Sequence, residues 1–129
     1  MNKKILQILE YDKVKDQFLE NLTTAQGKKE LAELVPLTDA SKIQLLFDEV
    51  ADFQSLTQEN GLLNLSKTTD LSEILRRLEL EASLNGKEFV EIKKVIQVGL
   101  NITRFFAEAE NVETPALDVT LDKLTDLSA

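Results

Sequence analysis

Apolar residues in this chain return every three or four positions and nowhere every second one. Ile43, Leu46, Phe47, Val50 and Phe53 show the pattern most clearly. A helix with 3.6 residues per turn gathers such a set on one face, whereas a half-buried strand requires strict alternation. The same step recurs in Leu71, Ile74, Leu75 and Leu78, and again in Phe89, Ile92, Val95, Ile96, Ile102 and Phe106. β-Branched and aromatic residues are not concentrated in short runs, and no internal repeat is visible. The periodicity predicts an all-α fold: a multi-helix bundle with two long helices plus several short ones.

Helix-breaking and capping residues divide the chain. Ile5, Leu6, Ile8 and Leu9 form a first apolar patch, followed by a break at Tyr11 and Asp12. Asp12 is expected to cap a second helix with Val14, Phe18 and Leu22 on one face. Thr23 and Gln26 make a T-x-x-Q box that opens a third helix, ending before Pro36. Gly27 costs that helix roughly 1 kcal/mol against Ala, which suggests a close helix contact. Thr38 and Asp39 precede the first long helix, and Asn60-Gly61 supplies its stop. The stretch LLNLSKTT reads as irregular. Asp70 with Glu73 restarts a helix, "NVETPA" breaks the chain again, and Leu117, Leu121 and Leu124 mark a last helix.

Leu84-Asn85-Gly86-Lys87-Glu88-Phe89 combines several start signals for the second long helix. Asn85 is a good N-cap, Glu88 can reach back to the cap, and Leu84 and Phe89 occupy the two hydrophobic-staple positions. A nucleotide-binding reading of the same stretch fails on spacing. G-x-x-x-x-G-K-[ST] would need Gly at position 81 and Ser or Thr at 88, where Glu81 and Glu88 stand. Gly27-Lys28 fails likewise, with Leu22 and Lys29 at the flanking positions. Arg76 and Arg77 are expected to pair with Glu73, Glu79 or Glu81 on a solvated face. Their alternative is a phosphate or interdomain patch that Lys93 and Lys94 would join.

Other chemistry is thinly supported. With no cysteine and no histidine, thiolate nucleophiles, histidine bases and the usual zinc sites are ruled out. Glu79 with Glu81, and Glu108 with Glu110, stand two residues apart, which does not bring side chains together on a helix. Asp48, Glu49 and Asp52 read as solvent-facing. Phe106 matches its helix stripe, and Phe105 is free to reach a partner. No catalytic, cofactor-binding or metal-binding residue is assigned. The net charge of −8 disfavours contact with phosphate backbones. No apolar run reaches membrane-spanning length, so no membrane partner and a cytoplasmic location are expected. At 129 residues, one helical domain over 1–129 is the expectation. The amphipathic end without a Gly or Pro stop reads as part of a longer chain, against a frayed natural end.

The opening "MNKKILQILEYDKVKDQF", the following "TTAQGKKELAEL", and "DLSEILRRLELEASLNGKEFVEIKKVIQVGLNITRFF" resemble the amino terminus of the bacterial MutS-like family of the second type. The likeness covers nearly the whole chain. It implies the start of a helical core and lever region, followed downstream by an ABC-type ATPase domain and a carboxy-terminal Smr nuclease domain. It also implies ATP and magnesium as cofactors of the full-length protein, homodimers formed through the ATPase region, and DNA or the ribosome as partners. Suppression of recombination and rescue of collided ribosomes are the functions such a protein would serve. The family's catalytic residues have no matching position here, so this segment by itself is expected to be non-catalytic. Leu46, Phe47, Val50, Ile92 and Ile96 are expected to pack rigidly within the lever. The alternative is a free-standing helical protein–protein interaction module. An apolar strip along the last helix, or along one side of helix 86–110, would mark a segment of a longer protein.

Overall fold

The computed structural model describes residues 2–109 and 112–123. The described residues form seven α-helices and no strand: α1 (Lys3–Ile8), α2 (Tyr11–Leu19), α3 (Ala25–Glu33), α4 (Ala40–Asn60), α5 (Ser72–Glu79), α6 (Gly86–Glu108) and α7 (Pro115–Leu121). The chain is all-α, and α4 and α6 are the two long helices, with 21 and 23 residues. Within 1–129, contacts group into two compact units. Unit 1 comprises Met1–Pro36 and Leu65–Lys94; unit 2 comprises Leu37–Asn64 and Val95–Ala129. Helix α6 gives its first residues to unit 1 and its remainder to unit 2.

In unit 1 the helix starts are local, but several lie off their expected positions. Asn2 caps α1 by accepting from the Lys4 N–H. The break before α2 falls at Glu10, which adopts a left-handed φ of 51°, so Asp12 lies inside the first turn instead of capping it. No sequence preference announces this, because glutamate is not a left-handed residue. Thr24, not Thr23, caps α3 and accepts from the Gly27 N–H at 3.1 Å. A Cβ on Gly27 would meet the Thr24 hydroxyl at 3.0 Å, so the close approach is to the cap itself rather than to another helix. The end of α3 is held from α2. Lys15 Nζ donates to the carbonyls of Ala32 (2.8 Å) and Leu34 (3.2 Å), and the Tyr11 hydroxyl also donates to Leu34. A cation at the last carbonyls also complements the helix dipole.

In unit 2, Asp39 caps α4 through the N–H groups of Ser41 and Lys42, and Gly61 ends it at φ 82°. Both follow the sequence expectation. Packing on α4 does not. Leu46, Phe47, Val50 and Phe53 are exposed, Phe47 by 66%. Instead Leu56 is buried at 1% on another side of the helix, and α4 also meets α7. Asp52 and Glu49 are half-buried and bond α7. Asp52 Oδ2 accepts from the N–H groups of Ala116 (2.8 Å) and Leu117 (3.3 Å), and Glu49 accepts from the Thr120 hydroxyl. An α4 carboxylate thus caps α7, because the first N–H groups of a helix have no partner of their own.

The two units also differ in charge. Unit 1 balances twelve basic against twelve acidic residues, whereas unit 2 sets three against eleven. The whole net charge of −8 therefore falls on unit 2. Repulsion of phosphate backbones is accordingly a property of that unit and not of the chain at large.

Candidate functional site

The densest set of interacting polar side chains in unit 1 surrounds the turn from α5 into α6. Helix α5 ends in a Schellman motif: the Ala82 N–H donates to the Arg77 carbonyl at 3.0 Å and the Glu81 N–H to the Leu78 carbonyl at 2.9 Å. The left-handed position belongs to Glu81, with φ 60° and none of glycine's steric freedom. Helix α6 then starts with the reciprocal box read from the sequence. Asn85 Oδ1 accepts from the Glu88 N–H at 3.0 Å, and Glu88 Oε2 accepts from the Asn85 N–H at 2.9 Å. Phe89, expected to close the staple with Leu84, is 60% exposed.

Arg77 ties the two helices together. It forms an ion pair with Glu88 and donates through Nη2 to the Ser83 carbonyl at 3.2 Å. Its partner is thus the carboxylate across the corner, not Glu79 or Glu81. Sequence spacing along one helix could not reveal it. Arg76 does follow expectation, lying in a two-pronged pair with Glu73 at 2.7 and 3.0 Å, exposed on both sides. Glu73 is therefore not the capping partner of Asp70. Asp70 instead accepts from the Ser72 N–H at 2.9 Å and the Ser72 hydroxyl at 2.5 Å. Lys94 pairs with Glu91 at 3.0 Å. Each of Arg76, Arg77 and Lys94 thus faces a carboxylate.

A second set of contacts anchors the 65–70 segment. Thr68 is buried, accepts from the Ala25 N–H at 3.1 Å and donates to Gln26 Oε1 at 2.6 Å. Gln26 is therefore occupied there rather than in a T-x-x-Q box, and Thr23 donates to the Leu65 carbonyl. The Thr69 hydroxyl donates to Glu91 at 2.8 Å, so one short segment touches both the start of α3 and the early turns of α6.

The electrostatics are those of a joint. The Asn85 backbone N–H, then the Arg77 guanidinium, hold the Glu88 carboxyl below its ordinary value. Lys94 and the Thr69 hydroxyl do the same for Glu91, Arg76 for Glu73, and the Ser72 hydroxyl for Asp70. General acid–base work near neutral pH calls for a carboxyl raised toward 7, the opposite direction. Among the described residues no group of three or more acidic side chains is placed to hold a metal ion. In unit 2 a shallow open recess is lined by Leu62, Leu63, Asn64, Asn101, Arg104, Phe105 and Glu108. Phe105, read as free to reach a partner, packs edge-on against Phe106 with ring centres 5.7 Å apart. No helix among the described residues is long and apolar enough to cross a membrane.

Comparison with known proteins adds identity to this geometry. Endonuclease MutS2 of Lactococcus lactis subsp. cremoris is 81% identical over 128 residues, which is 99% of this chain and 16% of the relative. That of Lactococcus lactis subsp. lactis is 80% identical over 129 residues, or 100% of this chain and 17% of the relative. That of Streptococcus thermophilus is 45% identical over 124 residues, or 96% and 16%. No family model matches the chain, and no solved structure matches it. At such identity along its whole length, the chain belongs to the bacterial MutS-like family of the second type. Its relatives carry the name endonuclease MutS2, and the chain spans about a sixth of their length, matching their amino-terminal region.

Proposed function

We propose that this chain is a non-catalytic helical segment of a MutS2-type protein, the beginning of its core and lever region. The match to endonuclease MutS2 along 99% of the chain carries the reading. The corner between α5 and α6 supports it: Arg77, Glu88, Asn85 and Ser83 are hydrogen-bonded to one another. A segment that passes displacement on needs joints that keep their angle, and a corner closed by mutual hydrogen bonds meets that need. In this reading ATP and magnesium bind elsewhere in the longer protein, as does the nuclease centre. The intact protein acts as a cytoplasmic homodimer on DNA or ribosomes, in suppressing recombination or rescuing collided ribosomes.

Purified residues 1–129 test the reading. The expected result is strongly helical circular dichroism, no ATP turnover above blank, and weak DNA binding even at low salt. Tight low-salt DNA binding abolished by Arg76→Ala with Arg77→Ala would overturn it. The rival reading is a free-standing helical protein–protein interaction module. A reading frame that continues into a phosphate-loop motif would exclude that rival.

A further inference from the structure

Two asparagines of the chain precede glycine, Asn60 and Asn85. In such a pair the glycine nitrogen can close a five-membered ring on the side-chain carbonyl carbon of the asparagine. The reaction is intramolecular, and glycine has no Cβ to obstruct the approach. The two sites differ in what engages the reacting groups. In Asn60-Gly61 the Gly61 N–H donates to the Thr57 carbonyl at 3.0 Å, and Asn60 Nδ2 donates to the Leu56 carbonyl at 3.2 Å. Nucleophile and leaving group are both held by the last turns of α4.

In Asn85-Gly86 neither is held. The Gly86 N–H opens α6, where a helix leaves its first N–H groups without an acceptor of their own, and it donates to nothing among the described residues. Asn85 Nδ2 has no partner among the described residues either, and both Asn85 and Gly86 are exposed. Asn85 Oδ1 instead accepts from the Glu88 N–H at 3.0 Å. That donor polarises the carbonyl, and it is already aimed at the oxygen on which negative charge gathers as the ring closes. The bond that caps α6 therefore also activates the Asn85 side chain.

We infer that Asn85-Gly86 is a site of spontaneous covalent modification in the folded protein, whereas Asn60-Gly61 is protected. The Gly86 nitrogen bonds to Asn85 Cγ and gives up its proton. The Cγ–Nδ2 bond breaks, and ammonia leaves with that proton. Water then opens the cyclic imide at either carbonyl and yields aspartate or isoaspartate; nothing is oxidised or reduced. The products differ in consequence. Aspartate is itself a good N-cap and keeps the bond to the Glu88 N–H. Isoaspartate routes the main chain through the former side chain, adding a carbon ahead of α6 and removing the capping oxygen from its place. The reciprocal box with Glu88 is then lost, and the α5–α6 corner loosens.

The full-length protein is incubated at mildly alkaline pH, and peptide mapping by mass spectrometry follows both sites, with aspartate and isoaspartate peptides separated by chromatography. Asn85 should convert about tenfold or more faster than Asn60. Gly86→Ala, whose Cβ meets nothing within 4 Å, should slow Asn85 by about the same factor. Amide exchange over 86–89 should quicken in the isoaspartate fraction and stay native in Asn85→Asp. Equal rates at the two sites would show reaction through the unfolded chain and overturn the inference. So would an unconverted Asn85 once a free peptide of residues 82–90 has fully converted, a Gly86→Ala rate equal to the native one, or exchange unchanged in the isoaspartate fraction.

Discussion

Thr68 and Leu56 are the most deeply buried described side chains of units 1 and 2, and they differ in kind. Thr68 is a hydroxyl bridging the Ala25 N–H and Gln26, whereas Leu56 is a purely apolar side chain of α4. Every ion pair among the described residues lies in unit 1, and both buried hydrophobic residues, Leu56 and Val98, lie in unit 2. Unit 1 carries the ion pairs in addition to its side-chain hydrogen bonds. Unit 2 combines its two buried apolar side chains with the carboxylate bonds from α4 to α7, under a surplus of negative charge. The difference teaches that a short helical segment can fix its geometry in two chemically different ways, each with its own weakness.

Leu56→Ala should cost most, about 2–5 kcal/mol for an apolar side chain removed from a packed site. Amide exchange should rise first in α4 and α7, while emission from Tyr11, the only tyrosine and a unit 1 residue, changes later. Simultaneous loss of both signals would break the comparison by showing one cooperative unit. Thr68→Val comes next, at about 1–3 kcal/mol, because the Ala25 N–H and the Gln26 amide lose a partner together. Here Tyr11 emission should respond first. Asp52→Ala should cost about 1 kcal/mol by uncapping α7, with faster exchange confined to 115–121.

Acid should discriminate the units without mutation. Asp70, Glu73, Glu88 and Glu91, the carboxyls held low, all belong to unit 1. Their folded values lie below their unfolded ones. Their contribution is therefore complete above the ordinary carboxylate range near 4 and disappears as pH falls through the folded values. In unit 2, protonation relieves repulsion among eleven acidic residues. Tyr11 emission should thus report unfolding at a higher pH than exchange in α4 does; the reverse order would sink the contrast. The smallest effect is a gain. Glu81→Gly should stabilise by under about 1 kcal/mol, since glycine accepts the left-handed conformation without strain. Thermal unfolding followed by circular dichroism resolves a shift of this size in a chain of this length.

Local chemistry was legible in the sequence and distant pairing was not. Asn85 with Glu88, Asp39 and Gly61 stand where capping rules put them, because both partners lie within one turn. Glu10 and Glu81 carry no sequence signal for the left-handed position, because glutamate has no preference for it. Gln26 satisfies the spacing of a box yet is claimed by Thr68, 42 residues away. Asp52 looked like a surface carboxylate because its partners lie 64 and 65 residues further on. Leu46, Phe47 and Val50 of the α4 stripe are exposed instead of packed, because periodicity states only that a face exists and not what covers it.

Each unit is assembled from two separated stretches of chain, and α6 is common to both. No contiguous excision can therefore yield either unit intact, so truncation series and swaps of consecutive segments will damage both at once. Length variation within α6 is similarly constrained. A one-residue insertion near Lys94 would turn all later side chains of the helix by about 100° relative to the earlier ones. Insertions and deletions among relatives should therefore collect in the connecting stretches and spare the middle of α6.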